Sequence, residues 1–246
     1  MNESVKIFSS KEELAIKFCE EFFFLSERFR ERKKFFNVAL SGGKTPERIF
    51  QTLADNYANK INWENVRFFW GDERCVPPYD PKSNYGMTKK FLFDKINIPL
   101  ENVYRIFCEN NPADEALRYQ ERFLKLFNAN ITKAKFELTI LGLGDDGHTA
   151  SIFPNSLQLL SVKDLFAVAE HPVTKQKRIT ATGRLINNSN KIIFLVTGEN
   201  KSLVLNEIIG RQNNYLKYPA AHIEPINGTL EWYVDESAAS RLSNRK

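Results

Sequence analysis

The sequence predicts an α/β protein, with a mostly parallel sheet and helices on both of its faces. Two observations predict it. First, near-continuous apolar runs recur along the chain, at "FFNVAL" (35–40), "VRFFW" (66–70), "VYRIF" (103–107), "FELTILGLG" (136–144) and "IIFLVTG" (192–198). Strands buried on both faces read as unbroken apolar runs of this kind rather than as alternating ones. Second, these runs alternate with polar loops and segments of helical periodicity, the order that crossovers between parallel strands require. No Pro/Gly/Ser-rich linker, charge block or fixed-period repeat divides the chain, so one domain spanning residues 1–246 is expected.

The first element is a helix over 11–33. Ser10 followed three residues later by Glu13 forms a capping box, and Leu14, Phe18, Phe22, Leu25 and Phe29 fall on one face, a stripe that belongs to the core. After the strand at 35–40, Thr45 is the expected N-cap and Pro46 the first residue of a helix carrying Ile49, Phe50 and Leu53, because proline has no N–H to lose there. The strand at 66–70 runs into a long polar segment in which "SNYG" (83–86) reads as a lid, with a helix following around Thr88–Asp94. The run at 103–107 precedes Asn111 and Pro112, which start a helix bearing Leu117, Phe123, Leu124 and Phe127. A further helix is expected within "ENKSLVLNEIIG", and "LEWYVD" (230–235) is expected to close the sheet.

Composition excludes several classes. A chain that is 42% hydrophobic and 26% charged has ordinary globular composition. A net charge of +5 favours anionic partners without choosing among them. The densest basic stretch, Arg28–Lys34, is interrupted by Glu31 and ends a helix, so it reads as a solvated helix terminus; a nucleic-acid footprint needs a patch together with a motif. Cys19, Cys75 and Cys108 are odd in number and contain no C-x-x-C pair, which indicates neither a disulfide framework nor a zinc site. No signal peptide and no apolar stretch of about 18 residues is present, so a cytoplasmic protein without membrane or nucleic-acid partners is expected.

Open parallel sheets bind ligands beyond the carboxyl ends of their strands, where loops and helix N-termini converge. Four polar loops fall there: 41–46, 71–74, 142–148 and 198–201. "SGGKTP" offers Ser41, Gly42, Gly43, Lys44 and Thr45 as an anion cradle at a helix N-terminus, or simply as a glycine turn. It is not a Walker A loop, since Val38 stands where that motif needs glycine. "GDER" groups Asp72, Glu73 and Arg74; Arg74 suits a phosphate or a developing oxyanion, and the alternative is a structural ion pair. Among three histidines, His171 and His222 read as structural or exposed. His148 differs: it follows Asp146 by two residues at a strand end, where a carboxylate can orient an imidazole and favour its protonated form. A metal reading would use Asp72, Glu73, Asp145, Asp146 and His148, but no ligand spacing supports it.

Five blocks in order, "SGGKTP", "GDERCVP" with "SNYGM", "LGLGDDGHTASIFP", "RITATGRLI" and "TGENK", covering residues 38–201, resemble the 6-phosphogluconolactonases of the glucosamine-6-phosphate isomerase/6-phosphogluconolactonase family. "LEWYVD" resembles that family's tail as well. The resemblance implies a three-layer, modified Rossmann-like fold and hydrolysis of 6-phospho-D-glucono-1,5-lactone in the oxidative pentose phosphate pathway, with no cofactor and no metal. On that reading His148 activates water, Asp146 orients it, and Arg74 stabilises the oxyanion or the phosphate. Ser41, Gly42, Gly43, Lys44, Thr45, Asp72, Arg178 and Lys201 bind the sugar phosphate. The partner is a small molecule, and a monomer is compatible with it. The sister deaminases carry a catalytic glutamate five residues after the histidine, where this chain has Phe153. A deaminase-like sugar-phosphate isomerase and a non-catalytic sugar-phosphate sensor are the alternatives.

Overall fold

The computed structural model describes residues 3–128 and 130–242. Among the described residues nine strands form two sheets: β1 (Glu3–Phe8), β2 (Phe36–Leu40), β3 (Val66–Trp70), β4 (Asp72–Arg74), β5 (Leu138–Gly142), β6 (Phe166–Glu170), β7 (Lys177–Ala181), β8 (Lys191–Val196) and β9 (Thr229–Asp235). The larger sheet has the order β1-β9-β8-β5-β2-β3 and is parallel throughout. A smaller antiparallel sheet has the order β4-β7-β6. The α-helices among the described residues are α1 (Lys11–Glu31), α2 (Lys44–Tyr57), α3 (Asn84–Phe91), α4 (Pro112–Leu126), α5 (Gly183–Asn187) and α6 (Ser202–Ile209).

Adjacent residues of one strand show why the sheet needs cover on both sides. Phe68 meets Phe22 of α1, Trp63 and Phe93, whereas Phe69 meets Tyr104, Phe123 of α4, Phe127 and Phe136. Consecutive side chains of a strand point to opposite faces, and both rings are buried. The layered α/β expectation therefore holds. Among the described residues no helix is long and apolar enough to cross a membrane.

Several local expectations are corrected. The segment 103–107 is not a strand. It makes one bridge, Phe68 to Val103, and side chains of α4 take two of its backbone groups: Tyr119 Oη donates to the Tyr104 carbonyl at 2.7 Å, and Glu115 accepts the Phe107 N–H at 2.6 Å. Gly43, not Thr45, is the N-cap of α2, and Thr45 Oγ1 instead shares a 2.8 Å hydrogen bond with Thr197 Oγ1. Glu13 reaches back to Ser9 rather than to Ser10, although Ser10 does accept the Glu13 N–H. "SNYG" is the start of a helix and not a lid: Ser83 caps α3, four residues earlier than expected. "GDER" is partly a strand, β4. The tail strand lies inside the sheet, with β1 paired parallel to its outer edge.

The chain order sets where a ligand can bind. From β2 the chain steps outward to β3; from β5 it steps the other way, through β8 to β9. Neighbouring β2 and β5 are therefore the topological switch point, where the loops leaving their carboxyl ends diverge and open a crevice.

Candidate active site

Two loops form the crevice. From β2 come Ser41 and Gly42. A Cβ on Gly42 would lie 1.8 Å from Asn84 Oδ1, so only glycine fits between this turn and the start of α3. Gly43 follows at φ +109°, which lets the chain turn directly into α2.

From β5 comes the turn bearing His148. The Gly147 N–H donates to the Gly144 carbonyl at 3.0 Å, and the Gly144 N–H donates to the His148 carbonyl at 2.8 Å. Asp146 Oδ1 accepts the His148 backbone N–H at 3.1 Å and lies 2.5 Å from His148 Nδ1. A carboxylate accepts only, so the proton sits on Nδ1 and Nε2 is left as an acceptor. Burial pushes the Asp146 carboxyl upward, but the hydrogen bond and charge of His148 outweigh it and hold it below the usual carboxylate value. The His148 ring packs on Phe153, centroids 4.8 Å apart, and Phe153 is fully buried.

The small sheet makes a third wall by register. Asp72 lies opposite Thr180, and Arg74 opposite Arg178, so these four side chains share one face. Asp72 is buried and occupied: Ser151 Oγ donates to its Oδ2 at 2.6 Å, and Arg178 Nη1 stands 3.9 Å from the same oxygen. Asn84 Nδ2 donates to the Asp72 carbonyl at 2.8 Å. Burial lowers the Arg178 pKa, with Asp72 opposing. Arg74 Nη1 donates to the Lys82 carbonyl at 2.6 Å. Lys201, from the turn after β8, pairs with Asp145, which also accepts from Asn200 Nδ2 at 2.8 Å.

These walls enclose a cavity of about 190 Å³ lined by Ser41, Gly42, Asp72, Arg74, His148, Arg178 and Lys201, with Gly142 and Gly144. Asp146 stands behind His148. Gly43 and Lys44 line an adjoining cleft beside α3, and Lys44 and Thr45 line another toward α1. The Nε atoms of Arg74 and Arg178 and the Oδ1 atom of Asn84 are buried without a hydrogen-bond partner. Such atoms are rare in folded proteins; these three border the cavity or its adjoining cleft, and others lie at Asn37, Arg67 and Trp70.

The other two histidines are engaged elsewhere. His171 Nδ1 accepts the Val173 and Thr174 N–H groups at 3.2 Å, and its ring meets the Phe153 ring. His222 Nε2 donates to the Leu216 carbonyl at 2.7 Å. Sequence reasoning did not single out Ser151 or Asn84. Both lie inside blocks that were noticed, but their partner, Asp72, is 79 and 12 residues away. Among the described residues, no group of three His, Cys, Asp or Glu side chains is arranged to hold a metal ion.

Fold and crevice together define an open-sheet α/β protein with an imidazole–carboxylate pair and a cationic cavity at its switch point, a class suited to small anionic substrates. The chain belongs to the family of glucosamine-6-phosphate isomerases/6-phosphogluconolactonase, which its residues 9–232 match. It is 46% identical over 207 residues to the 6-phosphogluconolactonase of Haemophilus influenzae, covering 84% of this chain and 87% of that protein. The crystal structure of devB protein superposes with a TM-score of 0.91 at 36% identity, covering 98% and 100% of the two chains. The 6-phosphogluconolactonase of Trypanosoma cruzi does so with a TM-score of 0.89 at 26% identity, covering 98% and 97%.

Proposed function

We propose that this protein is a lactone hydrolase of the pentose phosphate pathway, converting 6-phospho-D-glucono-1,5-lactone to 6-phospho-D-gluconate in the cytoplasm. The observation that carries the reading is the His148–Asp146 pair, 2.5 Å apart, facing a cavity that also holds Arg74, Arg178 and Lys201. His148 Nε2 takes a proton from water as the water oxygen attacks the lactone carbonyl carbon, and Asp146 stabilises the imidazolium that forms. The carbonyl oxygen gains negative charge, which the cations lining the cavity oppose. Collapse of the tetrahedral intermediate breaks the bond to the ring oxygen, and His148 returns its proton there. A δ-lactone is electrophilic enough that neither covalent nucleophile nor cofactor is needed.

Ser41, the Gly42 backbone and Lys201 form the phosphate end of the site, with Arg178 beside them. Arg74 bridges toward the reacting carbonyl. Asp72 serves by fixing its neighbours: its Oδ2 accepts from Ser151 and faces Arg178, and its carbonyl accepts from Asn84. Lys44 and Thr45 belong to the rim. The deaminase alternative is disfavoured by Phe153: a buried ring under His148 occupies the place of the extra acid that amino-sugar isomerisation uses as a proton relay.

The test generates the lactone in situ from glucose 6-phosphate and follows its loss against spontaneous hydrolysis, with glucosamine 6-phosphate as a parallel substrate. Acceleration that disappears in His148→Ala supports the reading. Binding without turnover would make the protein a sensor, and ammonia release from the amino sugar would make it a deaminase.

A further inference from the structure

Gly147 joins the two members of the catalytic pair at φ +77°, in a turn whose glycines at 144 and 147 leave it intrinsically soft. What lies against it comes from a remote segment. A Cβ on Gly147 would fall 2.2 Å from Cδ1 and 2.6 Å from Cγ of Tyr218, so the ring rests on the Gly147 backbone. Two residues further on, the Ala220 N–H donates to the Gly147 carbonyl at 3.1 Å.

The ring is itself braced. Tyr218 is 7% exposed, and its hydroxyl donates to Glu207 Oε2 at 2.5 Å. Glu207 also accepts from Asn213 Nδ2 at 2.8 Å. Glu207 lies on α6, and the chain entering α6 supplies Asn200 and Lys201, both bonded to Asp145. Residues flanking and within α6 thus hold the His148 turn from two sides: at Asp145 through Asn200 and Lys201, and at Gly147 through Tyr218.

We propose that Tyr218 is a positioning residue for the reaction: its ring presses the Gly147 backbone into the one conformation in which Asp146 meets His148 Nδ1. Tyr218 does not line the substrate cavity, so it acts on turnover and leaves ground-state binding alone. The proposal rests on Asp146 and His148 being the catalytic pair. Displacing a catalytic group by about 1 Å costs on the order of 100-fold in rate, so a loosened turn has a measurable effect.

The experiment measures lactone hydrolysis by Tyr218→Ala, Tyr218→Phe and His148→Ala side by side, each checked for folding by thermal unfolding. Tyr218→Ala is expected to lower kcat by about 10- to 100-fold with KM within about 3-fold of wild type. Tyr218→Phe keeps the ring and is expected to restore kcat to within about 3-fold. Should the alanine variant fail to fold, Tyr218→Leu, which fills the space without a planar ring, takes its place with the same expectation. Wild-type kcat in Tyr218→Ala, a defect confined to KM, or a phenylalanine variant no better than alanine would overturn the proposal. An inactive His148→Ala in that series would leave the catalytic pair standing; an active one would remove both assignments.

Discussion

In the proposed reaction Asp146 and His148 divide one task between them. The bond and charge of the imidazole outweigh the cost of burial and hold the Asp146 carboxyl below the usual carboxylate range, so it stays ionised beside the ring. Asp146→Asn keeps the shape but loses the charge that favours the imidazolium; kcat is expected to fall by about 10²–10⁴-fold, as measured by initial rates at saturating lactone. Lys201 poses a different demand. Its partner Asp145 is exposed, so the lysine can turn toward an incoming phosphate at small cost. Lys201→Ala is expected to raise KM by about 10-fold or more with little change in kcat, since a charged hydrogen bond contributes about 1.5–3 kcal/mol. An unchanged KM would take Lys201 out of the phosphate site.

At the scale of elements, the junction of β4 with α3 shapes one wall. Glu73 is buried and accepts the backbone N–H groups of Arg74, Asn84 and Tyr85 and the Ser83 hydroxyl, closing the first turn of α3 from a distance. Burial pushes its carboxyl up to about 7 against the pull of those donors. The unfolded chain then releases this proton first as pH rises, so the folded state loses stability between about pH 4.5 and pH 7, by at most about 3.5 kcal/mol at about 1.4 kcal/mol per unit. Denaturant unfolding across that range is expected to show the decline. The β2–α2 turn is equally constrained: Gly42→Ala drives a methyl into Asn84, and a loss of about 1–3 kcal/mol in stability with at least about 10-fold in kcat/KM is expected from unfolding and rate measurements.

At the scale of the whole molecule, the site exists because the sheet reverses its direction of growth between β2 and β5, and because a second, antiparallel sheet stands over that crevice. Stability is drawn from elsewhere. Phe123 of α4 packs against Phe69, Phe127, Phe136 and Phe166, beneath the opposite face from α1. Phe123→Ala is expected to cost about 3–5 kcal/mol in chemical denaturation while KM at permissive temperature stays at its wild-type value, because none of these rings lines the cavity. A changed KM would show that core and crevice are coupled.

The sequence by itself determined the parallel α/β class, the helices with strong apolar stripes, the four loops that carry the site and the pairing of Asp146 with His148. Each of these is written in local spacing: a period of hydrophobicity, a glycine turn at a strand end, two residues separated by one glycine. Only the tertiary structure decided that 103–107 is not a strand, that α3 begins at Asn84, that Asp72 accepts from Ser151, that Lys44 and Thr45 line neighbouring clefts, and that Tyr218 leans on Gly147. Those outcomes depend on partners far away in the chain, such as Glu115 and Tyr119 for one segment and Glu73 for another. A residue's own neighbours in sequence carry no record of which distant group will satisfy its backbone.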